Sequence, residues 1–316
     1  MSGAGGGGSA REGARAPGGE AAREETGAGS GAAAEPWTPL RLIAWTQGYF
    51  ARGEVDAPRL TAEVLLAHAL GCDRVRLYLD FDKPLGAPEL AAFRDLVRRR
   101  AAGEPTAWLT GRREFLGHAF RVDPRVLVPR PETELVAEAA IALLPPDGTL
   151  LDLCTGSGCI AISAALARPD ARVVATEISP EALLVARENA AALGARVELL
   201  EGDLDGPVAA GERFDVVVSN PPYVPSAEIE GLSREVRREP RMALDGGADG
   251  LEVVRRIVSC APSRLRPDGL LLIEMHETHA AQLPALCLAA GFGEAVVHRD
   301  LAALPRWVVA RLPAPA

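Results

Sequence analysis

Asn220, Pro221, Pro222 and Tyr223 directly follow the apolar run Phe214-Asp215-Val216-Val217-Val218-Ser219. Two consecutive prolines stop a strand, because neither can donate to a ladder. The pattern therefore puts a carboxamide and an aromatic ring at the carboxyl end of a buried strand, the end at which open α/β sheets bind ligands. Pro222 biases Pro221 toward extended backbone and so fixes where the Pro221 carbonyl points. That carbonyl and the Asn220 side-chain oxygen are two rigid acceptors, able to hold both hydrogens of a planar –NH2 group while Tyr223 lies on its flat face. The chemistry implied is recognition of an amide or an exocyclic amine. Taken alone, Asn-Pro-Pro is equally an ordinary turn.

A second constellation lies upstream, in Leu151-Asp152-Leu153-Cys154-Thr155-Gly156-Ser157-Gly158. Gly156 and Gly158 let the chain turn sharply and approach a ligand closely. The helix opening at Gly158 aims its N-terminus at the same place. Glu177 closes the next apolar run, about 20 residues on, where a carboxylate accepts ribose hydroxyls. Together they lay a nucleoside across two strand ends. Gly156-x-Gly158-x-x-Ala161 also matches the dinucleotide pattern, a weak signal by itself. Three features favour S-adenosylmethionine over NAD. Asp152 precedes the glycines and could face the amino-acid end of a cofactor without a pyrophosphate; Asn220-Pro-Pro-Tyr closes the fourth strand; and the last two strands are too close for a parallel crossover.

These residues need a scaffold of alternating elements. Candidate strands are Leu150 to Leu153, Arg172 to Thr176, Val197 to Leu200, Phe214 to Ser219, Leu270 to Glu274, Glu294 to His298 and Trp307 to Leu312. Helical stretches such as Ile160 to Ala167 and Pro180 to Leu193 separate them, which reads as an α/β domain with a mainly parallel sheet. Only residues 299 to 306 join the last two strands, and a helical crossover needs about 10 to 12 residues, so that pair is expected to be antiparallel.

Ahead of this domain the periodicity is helical. Thr38-Pro39 reads as an N-cap with proline in the first turn. Leu40, Ile43 and Ala44 form one face, Leu60, Val64, Leu65 and His68 a second, and Leu90, Phe93, Leu96 and Val97 a third. His68 reads as a core or boundary residue, and Arg98, Arg99 and Arg100 as a solvated helix end. Gly117-His118 between Phe115 and Phe120 marks a hairpin. A further helix spans Glu132 to Leu144. Arg130, between two prolines, is held rigidly; it is either a linker arginine paired with a surface carboxylate or a lip over the ligand site. The organisation expected is a disordered Gly/Ala-rich tail (1–35), an N-terminal helical domain (36–110), a hairpin linker (111–128) and a catalytic domain (129–316).

Bulk properties narrow the class. The chain has 316 residues, enough for about two domains. A net charge of −9 without a basic cluster beyond Arg98–Arg100 argues against a nucleic-acid partner. No apolar run reaches the ~18 to 20 residues of a membrane span, and no secretory leader is visible. The five cysteines include no CxxC pair, which implies reduced thiols, a cytoplasmic location and no structural zinc. His276 and His279 are three apart rather than the four of a zincin, so no metal is expected there.

With these motifs in hand, the chain resembles the bacterial PrmC (HemK) family of release factor glutamine N5-methyltransferases. The matching runs are Ala44-Trp45-Thr46, Arg59 to Leu66, Gly111 to Phe115, Val128 to Glu134, Asp152 to Gly158, Ser219 to Tyr223, Glu239 to Leu244 and Gly246-Gly247. Asn-Pro-Pro-Tyr alone also occurs in DNA adenine methyltransferases; joined to Val-Pro-Arg-Pro-Glu-Thr-Glu it is specific. The resemblance implies a class I S-adenosylmethionine-dependent methyltransferase with a Rossmann-like seven-stranded sheet, a small N-terminal helical domain and a linking β-hairpin. It implies that Asp152, Cys154, Thr155, Gly156, Ser157, Gly158, Glu177 and Asn220 hold the cofactor, with Leu204 near the adenine. Asn220, Pro221, Pro222 and Tyr223, with Arg130, would hold the glutamine of the Gly-Gly-Gln loop of a class 1 peptide chain release factor, and Asn220, Pro221 and Tyr223 would act in catalysis. A monomer binding no nucleic acid and no membrane is implied.

The sequence departs from the family pattern in three places. Cys154 stands where glycine is usual, and is expected to fit only with negative φ. Glu274-Met275-His276-Glu277-Thr278-His279 replaces a run of Glu, a hydrophobe, Gly and later Gln. The end of the chain lacks the glycine usual near Ala303. Two rival functions share the motifs: a nucleic-acid methyltransferase acting on adenine N6 or guanine N2, and a non-catalytic S-adenosylmethionine-binding adaptor.

Overall fold

The structure is a computed structural model that describes residues 35–314. The tail expected over residues 1 to 35 lies outside the described residues, apart from Glu35.

Helices come first: α1 (Pro39–Arg52), α2 (Pro58–Leu70), α3 (Arg74–Leu79), α4 (Ala87–Ala101) and α5 (Thr106–Thr110). Proline sits in the first turn of α1, α2 and α4, where its missing N–H costs nothing. Gly71 closes α2 at φ 63°, a left-handed C-terminal cap. Leu42, Ile43, Phe50, Ala62, Leu65, Leu66, Leu77, Phe93, Leu96, Val97 and Leu109 fill the core between these helices. The α4 face is the one the periodicity indicates. On α1 and α2 the buried faces are rotated: Leu40 and Leu60 are exposed, and so are Ala44 and His68. Both helices carry apolar residues nearly all round, so spacing alone leaves the buried stripe undetermined. The three arginines also divide. Arg98 is exposed beside Asp95, whereas Arg100 is buried and paired with Glu235.

A hairpin follows, β1 (Arg112–Phe115) and β2 (His118–Arg121). Its turn is Leu116-Gly117, both at positive φ, one residue earlier than the sequence indicated. Two such residues match the right-handed twist of the paired strands. Phe115 and Phe120 meet edge to face at 6.0 Å and belong to the core on one side of the main sheet.

The remaining elements are α6 (Pro131–Leu143), β3 (Thr149–Leu153), α7 (Cys159–Ala167), β4 (Arg172–Glu177), α8 (Pro180–Leu193), β5 (Val197–Glu201), β6 (Phe214–Ser219), α9 (Glu252–Arg264), β7 (Leu265–Glu274), α10 (Gln282–Ala289), β8 (Glu294–Arg299) and β9 (Pro305–Arg311). The sheet has seven strands in the order β5-β4-β3-β6-β7-β9-β8. Pairs among β3 to β7 are parallel, and β9 runs antiparallel to both β7 and β8. The chain is therefore α/β with an antiparallel end pair. β7 starts five residues earlier than read from the sequence, because Pro267 and Gly269 disguise its first half. Strands such as Val216-Val217-Val218 are buried on both faces, between α6 and α7 on one side and α9 and α10 on the other. This order places β3 and β6 side by side at the centre, with their carboxyl ends adjacent.

Candidate functional site

The carboxyl ends of the central strands open on a cleft of about 270 Å³. Its floor is the loop after β3. Cys154, Gly156 and Gly158 all take left-handed backbone, with φ 62°, 56° and 83°. At φ 83° a side chain on Gly158 would be strained, and its Cβ would come within 2.7 Å of Ile162 Cδ1, so glycine suits the entry into α7. At Gly156 a Cβ would meet nothing within 4 Å, so that stretch of backbone faces open space. Cys154 corrects the expectation of negative φ: a small side chain is accommodated, but in a conformation that glycine favours.

Two carboxylates brace this loop from behind and from the side. Asp152 is fully buried; its Oδ2 accepts from Thr155 Oγ1 at 2.6 Å and from Ala161 N–H at 3.2 Å. Burial pushes its carboxyl up to about 7, and Glu177 adds to the rise. Asp152 is not on the cleft wall: it precedes the last residue of β3 and lies under the loop, with its Oδ1 free of any hydrogen bond. Glu177 does line the cleft. Its Oε2 accepts from Gly156 N–H and its Oε1 from Ser179 N–H, each at 2.9 Å. A carboxylate has about four lone-pair sites, so both oxygens keep capacity for ligand hydroxyls.

Leu204, at φ 47° after β5, forms an apolar wall with Leu127, Ile178, Val253 and Met242. The two arginines on the wall are neutralised: Arg256 pairs with Asp203, and Arg125 with Asp123 and Glu188. Neither arginine is left unpaired for a phosphate.

Asn220 closes the cleft at the end of β6. Its Nδ2 donates to Thr133 Oγ1, in the first turn of α6, across 3.0 Å. With the NH2 side engaged, Oδ1 is the atom left to accept from a substrate. Pro222 lines the cleft, whereas Pro221 is buried and Tyr223 is turned away from the wall toward β7. The Tyr223 hydroxyl donates to Glu274 Oε1 at 3.1 Å. The sequence pattern therefore brings only Asn220 and Pro222 of the four to the cleft itself. Tyr223 faces the adjoining space, where its ring lies 6.5 Å from that of His276.

Arg130 also departs from the simpler of its two readings. Its Nη2 donates to Glu239 Oε1 at 2.6 Å, and the Glu239 side chain is wholly buried rather than at the surface. Val128 N–H donates to Glu239 Oε2 at 3.0 Å. Burial raises the Glu239 carboxyl above the ordinary carboxylate range, and Arg130 opposes that rise. This fork ties the linker before α6 to the turn that puts Pro240, Met242 and Ala243 on the cleft wall.

Residues 41–111 match the family model described as PrmC N-terminal domain, and residues 133–238 match the model described as Methyltransferase small domain. The release factor glutamine methyltransferase of Geobacter sulfurreducens is 46% identical over 279 residues, which is 88% of this chain and 98% of that protein. The chain belongs to the release factor glutamine methyltransferase family. The family member from Chlorobaculum tepidum is 45% identical over 85% of this chain and 96% of its own. Among solved structures, the T. thermophilus 16S rRNA N2 G1207 methyltransferase in complex with AdoMet and guanosine superposes with TM-score 0.50 and 22% identity, covering 64% of this chain and 49% of that one. At that identity it attests the fold alone.

Against this family identity, two residues carry more of the site than the sequence reading gave them. Thr133 lines the cleft and holds Asn220, yet in the sequence it is one residue of a helix start. Glu274 is fully buried behind Tyr223. The signal for Thr133 was its place in Val-Pro-Arg-Pro-Glu-Thr-Glu, beside a proline that fixes the first turn of α6. For Glu274 it was a carboxylate ending an otherwise apolar strand, the same position that Glu177 occupies in β4.

Proposed function

We propose that the protein transfers a methyl group from S-adenosylmethionine to the side-chain amide nitrogen (N5) of the glutamine in the Gly-Gly-Gln motif of class 1 peptide chain release factors. The observation that carries this reading is the Asn220 carboxamide, anchored through Nδ2 to Thr133 so that an acceptor faces the cleft beside the nucleoside floor. Family membership supports it independently.

Cys154 to Gly158, Glu177 and Leu204 would hold S-adenosylmethionine, with the Glu177 carboxylate toward the ribose hydroxyls and Leu204 and Val253 against the adenine. When bound, that group supplies an electrophilic methyl carbon on a sulfonium. An amide nitrogen is a poor nucleophile because its lone pair is delocalised into the carbonyl. Asn220 Oδ1, on the cleft wall, would accept one N–H and the Pro221 carbonyl, at the buried end of the same turn, the other, and both would stabilise the positive charge that develops on nitrogen as it attacks. Acceptors fixed in advance in a site shielded from water are the effective kind, and holding nitrogen and methyl carbon in line supplies much of the remaining gain. The proton leaves to solvent after transfer. Tyr223 and Arg130 flank the amide on the side away from the cleft. The helical segment 36–110 and the hairpin 111–128 would hold the body of the release factor against the catalytic segment 129–316.

The reading includes a monomer acting in the cytoplasm without nucleic acid. Among the described residues no helix is long and apolar enough to cross a membrane. An exocyclic amine of a base would satisfy the same pair of acceptors, but a net charge of −9 and paired wall arginines offer phosphates little. The deciding experiment incubates purified protein and methyl-labelled S-adenosylmethionine with release factor, ribosomal RNA or DNA. Label on the release factor supports the proposal; label on nucleic acid alone, or on nothing, overturns it.

A further inference from the structure

Glu274 ends β7 with its side chain fully buried, and its Oε2 has no hydrogen-bond partner. Such a group is expensive unless its neighbours use it. Two hydroxyls address it. Tyr223 donates to Oε1 at 3.1 Å, and the Thr133 hydroxyl lies close enough to favour the ionised carboxylate. Thr133 is itself buried and has one proton and two lone pairs. It already accepts from Asn220 Nδ2, so its own proton points elsewhere, and the carboxylate is the buried acceptor beside it.

The direction of this relay matters because an amide has two unlike ends. With its proton directed to the open Oε2 of Glu274, Thr133 would accept from Asn220 through its oxygen, and Asn220 would present Oδ1 to the cleft. Were Thr133 to donate to Asn220 instead, the carboxamide would turn over and present NH2 to a substrate that is itself an NH2 donor. We propose that Glu274 and Thr133 are positioning residues that decide which end of the Asn220 carboxamide faces the substrate. The inference rests on the function proposed above and deepens it: the same clamp has a built-in polarity, set from two residues away.

The groups facing Glu274 are Glu132 and Thr133 from α6, Cys159 from α7, Tyr223 after β6 and Arg306 from β9. Burial is the main influence on its carboxyl and raises it to about 7; Glu132 adds to that, while the two hydroxyls and Arg306 oppose it. Above that pH the carboxylate accepts from both hydroxyls and the clamp is set. Below it the protonated acid can donate to Thr133 and release the polarity.

Three variants of the full chain test this: Thr133→Val, Thr133→Ser and Glu274→Gln. One readout needs no substrate. In wild-type protein the Asn220 carboxamide protons exchange slowly with water by NMR, and Thr133→Val removes that protection while Thr133→Ser keeps it. The second readout is methylation. Thr133→Val lowers kcat by about 10² with the Kd for S-adenosylmethionine within about twofold, by analogy with loss of one oriented polar partner; Thr133→Ser recovers most of it. Wild-type kcat rises with pH through about 7, and Glu274→Gln flattens that rise. Equal exchange in wild type and Thr133→Val, or a Glu274→Gln profile that still rises, overturns the inference. A wild type that methylates no release factor overturns the proposed function instead, and the exchange measurement then still decides the polarity.

Discussion

Asn220 and Thr133 are 87 residues apart in the chain, and their side chains meet across 3.0 Å at the carboxyl end of the central strand β6. One lies on the stiff turn that ends a strand, the other in the first turn of a helix that proline starts. Neither position has backbone freedom to spare, so the amide is held before any substrate arrives.

The first prediction removes that amide. Asn220→Ala lowers the rate of methyl transfer by on the order of 10² to 10³, the loss seen when one oriented donor or acceptor is deleted from a preorganised site. Calorimetry with S-adenosylmethionine alone separates any loss of cofactor binding from the loss in the transfer step. Turnover at the wild-type rate would remove the clamp from the mechanism.

A second prediction concerns the fork between Arg130 and Glu239. Arg130→Ala leaves a wholly buried carboxylate with only the Val128 N–H as partner. Removing one member of such a pair costs about 1 to 3 kcal/mol, the lower end reflecting the partly exposed guanidinium. The double variant Arg130→Ala with Glu239→Gln recovers part of the loss, since no charge is then stranded. Urea unfolding midpoints measure both, and an Arg130→Ala midpoint equal to wild type contradicts the account.

pH should act on stability through Glu274. Its folded-state carboxyl stands at about 7, above the ordinary glutamate value, so the folded protein holds a proton that the unfolded chain has lost. That contribution is complete below about pH 4.5 and fades as pH rises to about 7. Glu274→Gln abolishes it, so the fall in unfolding free energy between about pH 5 and about pH 8 shrinks by roughly 3 kcal/mol. Asp152, also raised to about 7 by burial, keeps its own share of the slope until Asp152→Asn removes that as well. Unfolding curves at the two pH values that give the variant the wild-type slope would refute the assignment.

Backbone conformation supplies a fourth. Ala303 sits at φ 63° and Cys154 at φ 62°, both in the left-handed region that glycine favours. Ala303 is exposed, so Ala303→Gly relieves the strain without losing packing and should stabilise by about 1 kcal/mol. Cys154→Val, which puts a β-branched side chain in the same conformation, should cost about 2 kcal/mol or more. Thermal unfolding of the two variants checks the signs; a destabilised Ala303→Gly would be the contrary result.

How much of this was legible in the chain follows from which signals are local. β6 and α8 were bounded to the residue, because Pro221-Pro222 and the Ser179-Pro180 start together with Gly194 are punctuation that acts within a turn. The antiparallel end pair followed from the short stretch between β8 and β9. The buried faces of α1 and α2 did not follow, since both helices also carry large apolar residues off the buried face, Leu40, Trp45 and Tyr49 on α1 and Leu60 on α2. Asp152 and Glu177 look alike in sequence, each a carboxylate at a strand end. The ladder sets Asp152 beside Ala175, so the two carboxylates share a sheet face, and Glu177 reaches the cleft wall because it lies two residues further along. The partnership of Thr133 with Asn220 and the burial of Glu239 depend on contacts across 87 and 109 residues. No local pattern encodes such contacts.

The most direct test of the central claim is site mapping. Release factor is treated with the protein and S-adenosylmethionine, digested, and its Gly-Gly-Gln peptide sequenced by tandem mass spectrometry, for wild type and Asn220→Ala in parallel. The account predicts one added methyl on the glutamine side chain with wild type and almost none with Asn220→Ala over the same interval. A methyl elsewhere on the release factor, or equal glutamine methylation by both proteins, would contradict it.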